Sequence, residues 1–264
     1  MTHHQPAKRA QRVTWRESAD GYLEDHSWVK AYPRQLTALI QAPIAPTAIE
    51  LALYLMTQLK TNSPTIENWN AGAAAHRLGR DPDTISAATS RLCDADFVRK
   101  RRRRGLHLDL NPALAFRGYE KNHREALEAM HIPAPPRPWI KVFTPNLHTL
   151  IQARLPGSEL RVMLRLIALT EGGNSTQPLG PPTTAASAIG MTKSPWCAAL
   201  KVLEEGELIQ RANRSNTAGV TINPQYAFLG GPNQRAEAIA TWRRTTTQRA
   251  RAAKAAAAKA ARDD

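Results

Sequence analysis

The chain has 264 residues, 42% of them hydrophobic, with 36 Lys and Arg against 22 Asp and Glu and a net charge of +14. That length suits two folded domains, and no apolar run approaches the ~20 residues that a membrane-spanning helix needs. Two cysteines, Cys93 and Cys197, are too few for a disulfide framework or a zinc cluster. The positive excess favours a polyanionic partner, nucleic acid before an acidic membrane.

Residues 1–27 read as a flexible basic arm carrying Lys8, Arg9, Arg12 and Arg16. Its first residues, Met1 to Gln11, lack the apolar stretch of a secretory leader, and the cysteine usage fits a reducing compartment, so a cytoplasmic location is expected. Trp28 to Tyr32 alternates like a short strand, and Pro33 opens a helix through Leu36, Leu39 and Ile40. Thr47 is a candidate N-cap for the next helix, whose apolar face is Ile49, Ala52, Leu53, Leu55 and Met56. A helix of small residues, Ala71 to Leu78, stops at Gly79. Asp81 and Pro82 supply the N-cap and first position of a helix to about Ala95. That helix turns Ile85, Ala88 and Leu92 inward and Asp83, Ala87, Ser90 and Arg91 outward. Phe97 and Val98 begin a strand, and Leu106, Leu108 and Leu110 alternate along a return strand. Glu120 to Met130 predicts a helix, and Pro133 to Pro138 a stiff connector.

The chain then repeats itself. Trp28-Val29-Lys30-Ala31-Tyr32 returns as Trp139-Ile140-Lys141-Val142-Phe143 at an offset of 111. Asn111-Pro112-Ala113-Leu114-Ala115-Phe116-Arg117-Gly118 returns as Asn223-Pro224-Gln225-Tyr226-Ala227-Phe228-Leu229-Gly230 at an offset of 112. In the second copy Ser158 caps a helix bearing Leu160, Met163, Leu164 and Ile167. Thr184 to Ile189 ends at Gly190, Thr192 caps a helix through Leu203, and Leu208-Ile209 and Val220 to Ile222 are strands. Two units this long predict a tandem pair, each burying its own core, rather than a solenoid. The expected domains are 28–118 and 139–230, joined by a helical, Pro-rich linker (119–138) and followed by an Ala/Arg-rich tail (231–264). Seven Lys or Arg and no acid lie between Arg243 and Arg262, and no apolar face is evident, so a frayed basic tail is expected.

The order helix, short helix, glycine turn, helix, hairpin predicts a mainly α fold with small β-hairpins (α+β), built as two tandem winged helix-turn-helix domains. In such a domain the second helix of the motif reads base edges. Its outward residues are Arg80, Thr84, Ala87, Ser90 and Arg91 in the first copy and Lys193, Ser194, Ala198 and Lys201 in the second. Arg99, Lys100, Arg101, Arg102, Arg103 and Arg104 form a run of cations at a hairpin tip closed by Gly105, whose self-repulsion a phosphate backbone would relieve. The second hairpin is milder, with Arg211, Asn213 and Arg214. There is no phosphate-binding loop, no His-x-His pair and no Cys-x-x-Cys, and the eight histidines do not cluster and read as surface residues. No catalytic residue, metal or cofactor is expected. Trp28, Trp139, Tyr32 and Phe143 recur between copies and read as core.

The strand-helix opening at Trp28 and Trp139 and the closing Asn-Pro-x-x-Ala-Phe-x-Gly, at Asn111–Gly118 and Asn223–Gly230, resemble the winged-helix plasmid replication initiators of the Firmicute-plasmid type. The chain differs in carrying the unit twice and in its Ala/Arg tail. The resemblance implies binding to double-stranded DNA at the origin of a plasmid or other mobile element, with host replication proteins as further partners. The residues alone leave open a winged-helix transcriptional repressor and a protein-interaction module. With both readers in one chain, a monomer acting as a pseudo-dimer, or a unit that self-assembles on DNA, is expected on a bipartite or direct-repeat site. The two faces differ, so the site should be asymmetric.

Overall fold

A computed structural model describes residues 28–102, 104–136, 138–170, 177–211 and 219–263, with side chains as far as Ala252. The fold is mixed helix and strand with small sheets. The first copy runs β1 (Trp28–Ala31), α1 (Pro33–Gln41), α2 (Pro46–Gln58), β2 (Thr65–Ile66), α3 (Ala71–Leu78), α4 (Pro82–Asp94), β3 (Val98–Arg102), β4 (Leu106–Leu110), β5 (Ala115–Phe116) and α5 (Glu120–Ala129). The second runs in the same order: β6 (Ile140–Phe143), α6 (Thr144–Gln152), α7 (Gly157–Ala168), β7 (Gln177–Pro178), α8 (Pro182–Ser187), α9 (Lys193–Glu205), β8 (Ile209–Arg211), β9 (Gly219–Ile222), β10 (Ala227–Phe228) and α10 (Pro232–Asp263).

Local chemistry explains most boundaries. Gly79 ends α3 in the left-handed region at φ 60°. Asp81 caps α4 by accepting from the Asp83 N–H at 2.8 Å, with Pro82 at the first helical position. Asn70 caps α3 in the same way, through the Ala73 N–H. Two expected caps are displaced. Helix α2 starts at Pro46, one residue before Thr47, and α7 starts at Gly157, so that Ser158 lies inside the helix and bonds Glu159. At α2, proline at the first position presets φ and has no N–H to satisfy, so no side-chain cap is required.

The two copies meet about an isologous seam. Strands β1 and β6 pair antiparallel, with Lys30 opposite its own repeat equivalent Lys141 and Trp28 opposite Phe143. Strand β5 extends the sheet beyond β1 and β10 extends it beyond β6, giving the order β10-β6-β1-β5. Trp28 and Trp139 stack with centroids 5.4 Å apart and planes 4° from parallel. Lys30 sits over Trp139, and Lys141 over Trp28, at 5.3 Å in each case. The strand pairing, the ring stack and the two lysine–tryptophan contacts follow the mated pattern that a two-fold interface generates. The helices follow suit: α1 packs on α7, and α2 on α6 and α7.

The expectation of a separate core for each copy is not met. Buried apolar residues form one continuous cluster, from Val29 to Ala227. Helix α2 is buried on every side from Ala48 to Met56, because it faces its own copy and the other at once. Polar groups cross the seam too. Arg161 of α7 donates to the carbonyls of Ile40 at 2.6 Å and Ile44 at 2.9 Å, in the last turn of α1 and the loop after it, and Gln41 donates to the Ala188 carbonyl at 2.8 Å.

The repeat also runs past Gly118 and Gly230. His123 of α5 is 3% exposed, not a surface residue. It stacks on Tyr32, tilts against Phe116 and donates from Nε2 to the Pro112 carbonyl at 3.0 Å. Its equivalent in α10 is Arg235, which lies 3.5 Å over Phe143 and donates to the Pro224 carbonyl at 3.2 Å. The Asn-Pro motif builds the receiving side. Asn111 and Asn223 fold back on their own backbones, and Phe116 and Phe228 become fully buried edge strands of the central sheet. The tail is therefore a docked helix at its start, with Trp242 only 7% exposed, rather than a frayed segment. Among the described residues its buried side chains are Arg235 and Trp242, too sparse a pattern to read as an apolar face.

Candidate nucleic-acid interface

In the first copy, Thr84, Ala87, Ser90 and Arg91 are all exposed on α4, with Ile85, Ala88, Thr89 and Leu92 buried behind them. Ser86 belongs to the same exposed face and was not anticipated, although its spacing from Ser90 gave the signal. Both serines donate to the carbonyl four residues back, Ser86 to Pro82 and Ser90 to Ser86, which leaves each hydroxyl oxygen as an acceptor. Lys100 of β3 uses that capacity, donating to Ser90 at 3.2 Å. This bond brings the basic hairpin against the hydroxyl face of α4.

The run of cations is not gathered at the tip. Arg99, Lys100, Arg101 and Arg102 lie within β3, so period-two alternation divides them between the faces of the β2-β4-β3 sheet. Lys100 and Arg102 share the α4 side. Arg99 stands opposite Asp109, and Arg101 makes an ion pair with that carboxylate at 3.0 Å. Asp109 is 2% exposed and also accepts from Thr65 at 2.6 Å. These groups border a cleft of about 260 Å³ between the sheet and α5. Arg104 and Gly105 turn the hairpin at φ 47° and 137°, and Arg103 lies outside the described residues.

Arg80 is also engaged elsewhere. Its guanidinium holds Glu50 of α2 with Nε and Nη2, both at 3.0 Å. Burial raises the Glu50 carboxyl above its usual range, opposed by Arg80 and by Arg154 of the second copy. Arg154 reaches across the seam against Gly79, filling the space where a side chain would begin. Arg80 therefore fastens the turn between α3 and α4 to the central helix.

In the second copy Lys193, Ser194, Ala198 and Lys201 are exposed along α9, above buried Trp196, Ala199, Leu200 and Leu203. Cys197 occupies the exposed position equivalent to Ser86. Lys201 makes a long i,i+4 contact with Glu205, at 3.9 Å. Arg211 is clamped by Glu204 of α9, through Nη2 at 2.5 Å and Nε at 2.7 Å. Asn213 and Arg214 lie outside the described residues. Among the described residues no three His, Cys, Asp or Glu side chains gather to hold a metal ion, and no helix is long and apolar enough to cross a membrane.

No protein-family model, curated protein or solved structure matches the chain.

Proposed function

We propose that the chain is a pair of fused winged helix-turn-helix readers that bind double-stranded DNA in a sequence-dependent way. The observation that carries this reading is the Lys100–Ser90 bond, which joins an arginine-rich hairpin to the exposed hydroxyl face of α4. Hydroxyls, a small methyl at Ala87 and the Arg91 guanidinium are suited to base edges in a major groove. Lys100, Arg102 and Arg104 are suited to the flanking phosphates. In α9 the same role falls to Lys193, Ser194, Ala198 and Lys201. Of the residues expected from sequence, Arg80, Arg101 and Arg211 act instead as structural cations, each committed to a carboxylate.

The biological setting follows the sequence resemblance: replication initiation, or its control, at the origin of a plasmid or other mobile element. Selection of bound sequences from random duplexes by the purified chain, at two salt concentrations, tests the reading. An asymmetric bipartite motif with strongly salt-dependent affinity is the expected result. Salt-dependent binding without a motif would reduce the protein to a nonspecific binder and remove the base-reading role of α4 and α9.

A further inference from the structure

We propose that helix α10 is a third DNA-contacting element, lying along the phosphate backbone beside α9 in place of the second hairpin; this rests on the DNA-binding reading above. The two copies treat equivalent hairpin positions differently. Lys100 extends the exposed surface of α4, whereas its equivalent Arg211 is clamped by Glu204, and its carbonyl accepts from Arg249 of α10 at 2.8 Å. The base of the second hairpin is thus neutralised and covered.

Helix α10 does the covering and adds charge of its own. Arg235 and Trp242 are buried, Thr246 accepts from Gln210 at 2.9 Å, and Arg249 reaches Glu204 at 3.4 Å. Residues 235, 242, 246 and 249 fall on one helical stripe, which is the docked face. Arg244 and Arg251, two turns apart, fall on the opposite face and are exposed. Beyond Arg249 the helix continues to Asp263, about 21 Å at 1.5 Å per residue. That length spans roughly six base pairs of duplex. The sequence of this extension adds Lys254, Lys259 and Arg262 with no acid before Asp263. A helix anchored at one end, with an exposed basic face and a continuation composed of alanine, lysine and arginine as far as Arg262, fits a polyanionic rod. Phosphate contacts of this kind raise affinity without changing which sequence is preferred.

The test uses the full chain and two variants: Arg244→Gln with Arg251→Gln, and the same pair with the chain ended after Ala252. Both keep the docked stripe, so the unfolding midpoint should be unchanged. Binding to a duplex selected by the wild type is measured across a salt series. The combined variant should bind at least tenfold more weakly, with the slope of log affinity against log salt reduced by about 3 to 4. It should select the same motif and lose protection on the α9 side of the footprint. An unchanged slope overturns the inference. So does tighter binding, which would make α10 a cover over the site, and so does a loss confined to phosphatidylserine vesicles. A wild-type chain that binds no duplex removes the DNA-binding reading itself, and the inference with it.

Discussion

At the scale of residues, the site is shaped by buried and half-buried acids as much as by exposed bases. Glu50 fixes Arg80, Asp109 fixes Arg101, and Glu204 holds both Arg211 and Arg249, and so these acids decide which cations remain outward. Arg80→Ala should leave the buried Glu50 carboxylate without its main partner and lower stability by about 1–3 kcal/mol in urea unfolding. Adding Glu50→Gln should recover part of that loss; no recovery would mean that the ion pair is not what Arg80 supplies. His123 gives a pH signature. Burial holds its pKa below the usual 6.5, with the Pro112 carbonyl opposing and the Lys30 ammonium adding to the effect. Above that value the ring is neutral in both folded and unfolded chains. As pH falls through it, the unfolded chain takes up a proton that the folded chain resists, so stability declines. Thermal melts from pH 7 to pH 5 should show a steeper decline for the wild type than for His123→Gln. Equal slopes would exclude His123 as a source.

At the scale of elements, the hairpin and α4 form one surface, and alternation along β3 sorts their cations by role. Lys100→Ala with Arg102→Ala should weaken duplex binding and lower its salt slope by about 2, with the fold unperturbed. Arg101→Ala should instead destabilise the protein, by leaving Asp109 without its cation, and change the slope little. The opposite assignment in titration and unfolding experiments would reverse the two faces. Helices α3 and α4 and the hairpin strands were legible in sequence because their signals are local: Gly79, the Asp81-Pro82 cap, and alternating Leu106, Leu108 and Leu110. The outward positions Thr84, Ala87, Ser90 and Arg91 followed from helical period alone. The two-residue strands β2, β5, β7 and β10 carry no such signal, since each exists only through a partner strand distant in sequence. For the same reason the burial of His123 and Trp242 and the commitments of Arg80, Arg101 and Arg211 could not be read. Their partners are set by tertiary contacts.

At the scale of the whole molecule, the repeat is a built-in two-fold pair rather than two domains on a tether. A flexible linker would raise the effective concentration of the second reader while tolerating many spacings between half-sites. The Trp28–Trp139 stack, the β1–β6 pairing and the continuous core instead fix one spacing and one relative orientation for α4 and α9. The two faces differ in residue type, Thr84, Ala87 and Ser90 against Lys193, Ser194 and Lys201, so symmetry of the frame coexists with asymmetry of the two exposed helix faces. The most direct test is a spacing series: the selected bipartite duplex, with one to five base pairs inserted between its half-sites, titrated with the full chain. Each insertion advances the second half-site by ~3.4 Å and rotates it by ~34°. A rigid pair predicts that two inserted base pairs already reduce affinity to that of a single half-site. Affinity that stays constant across the series would show the readers to be independent, and would contradict the fused frame on which the account rests.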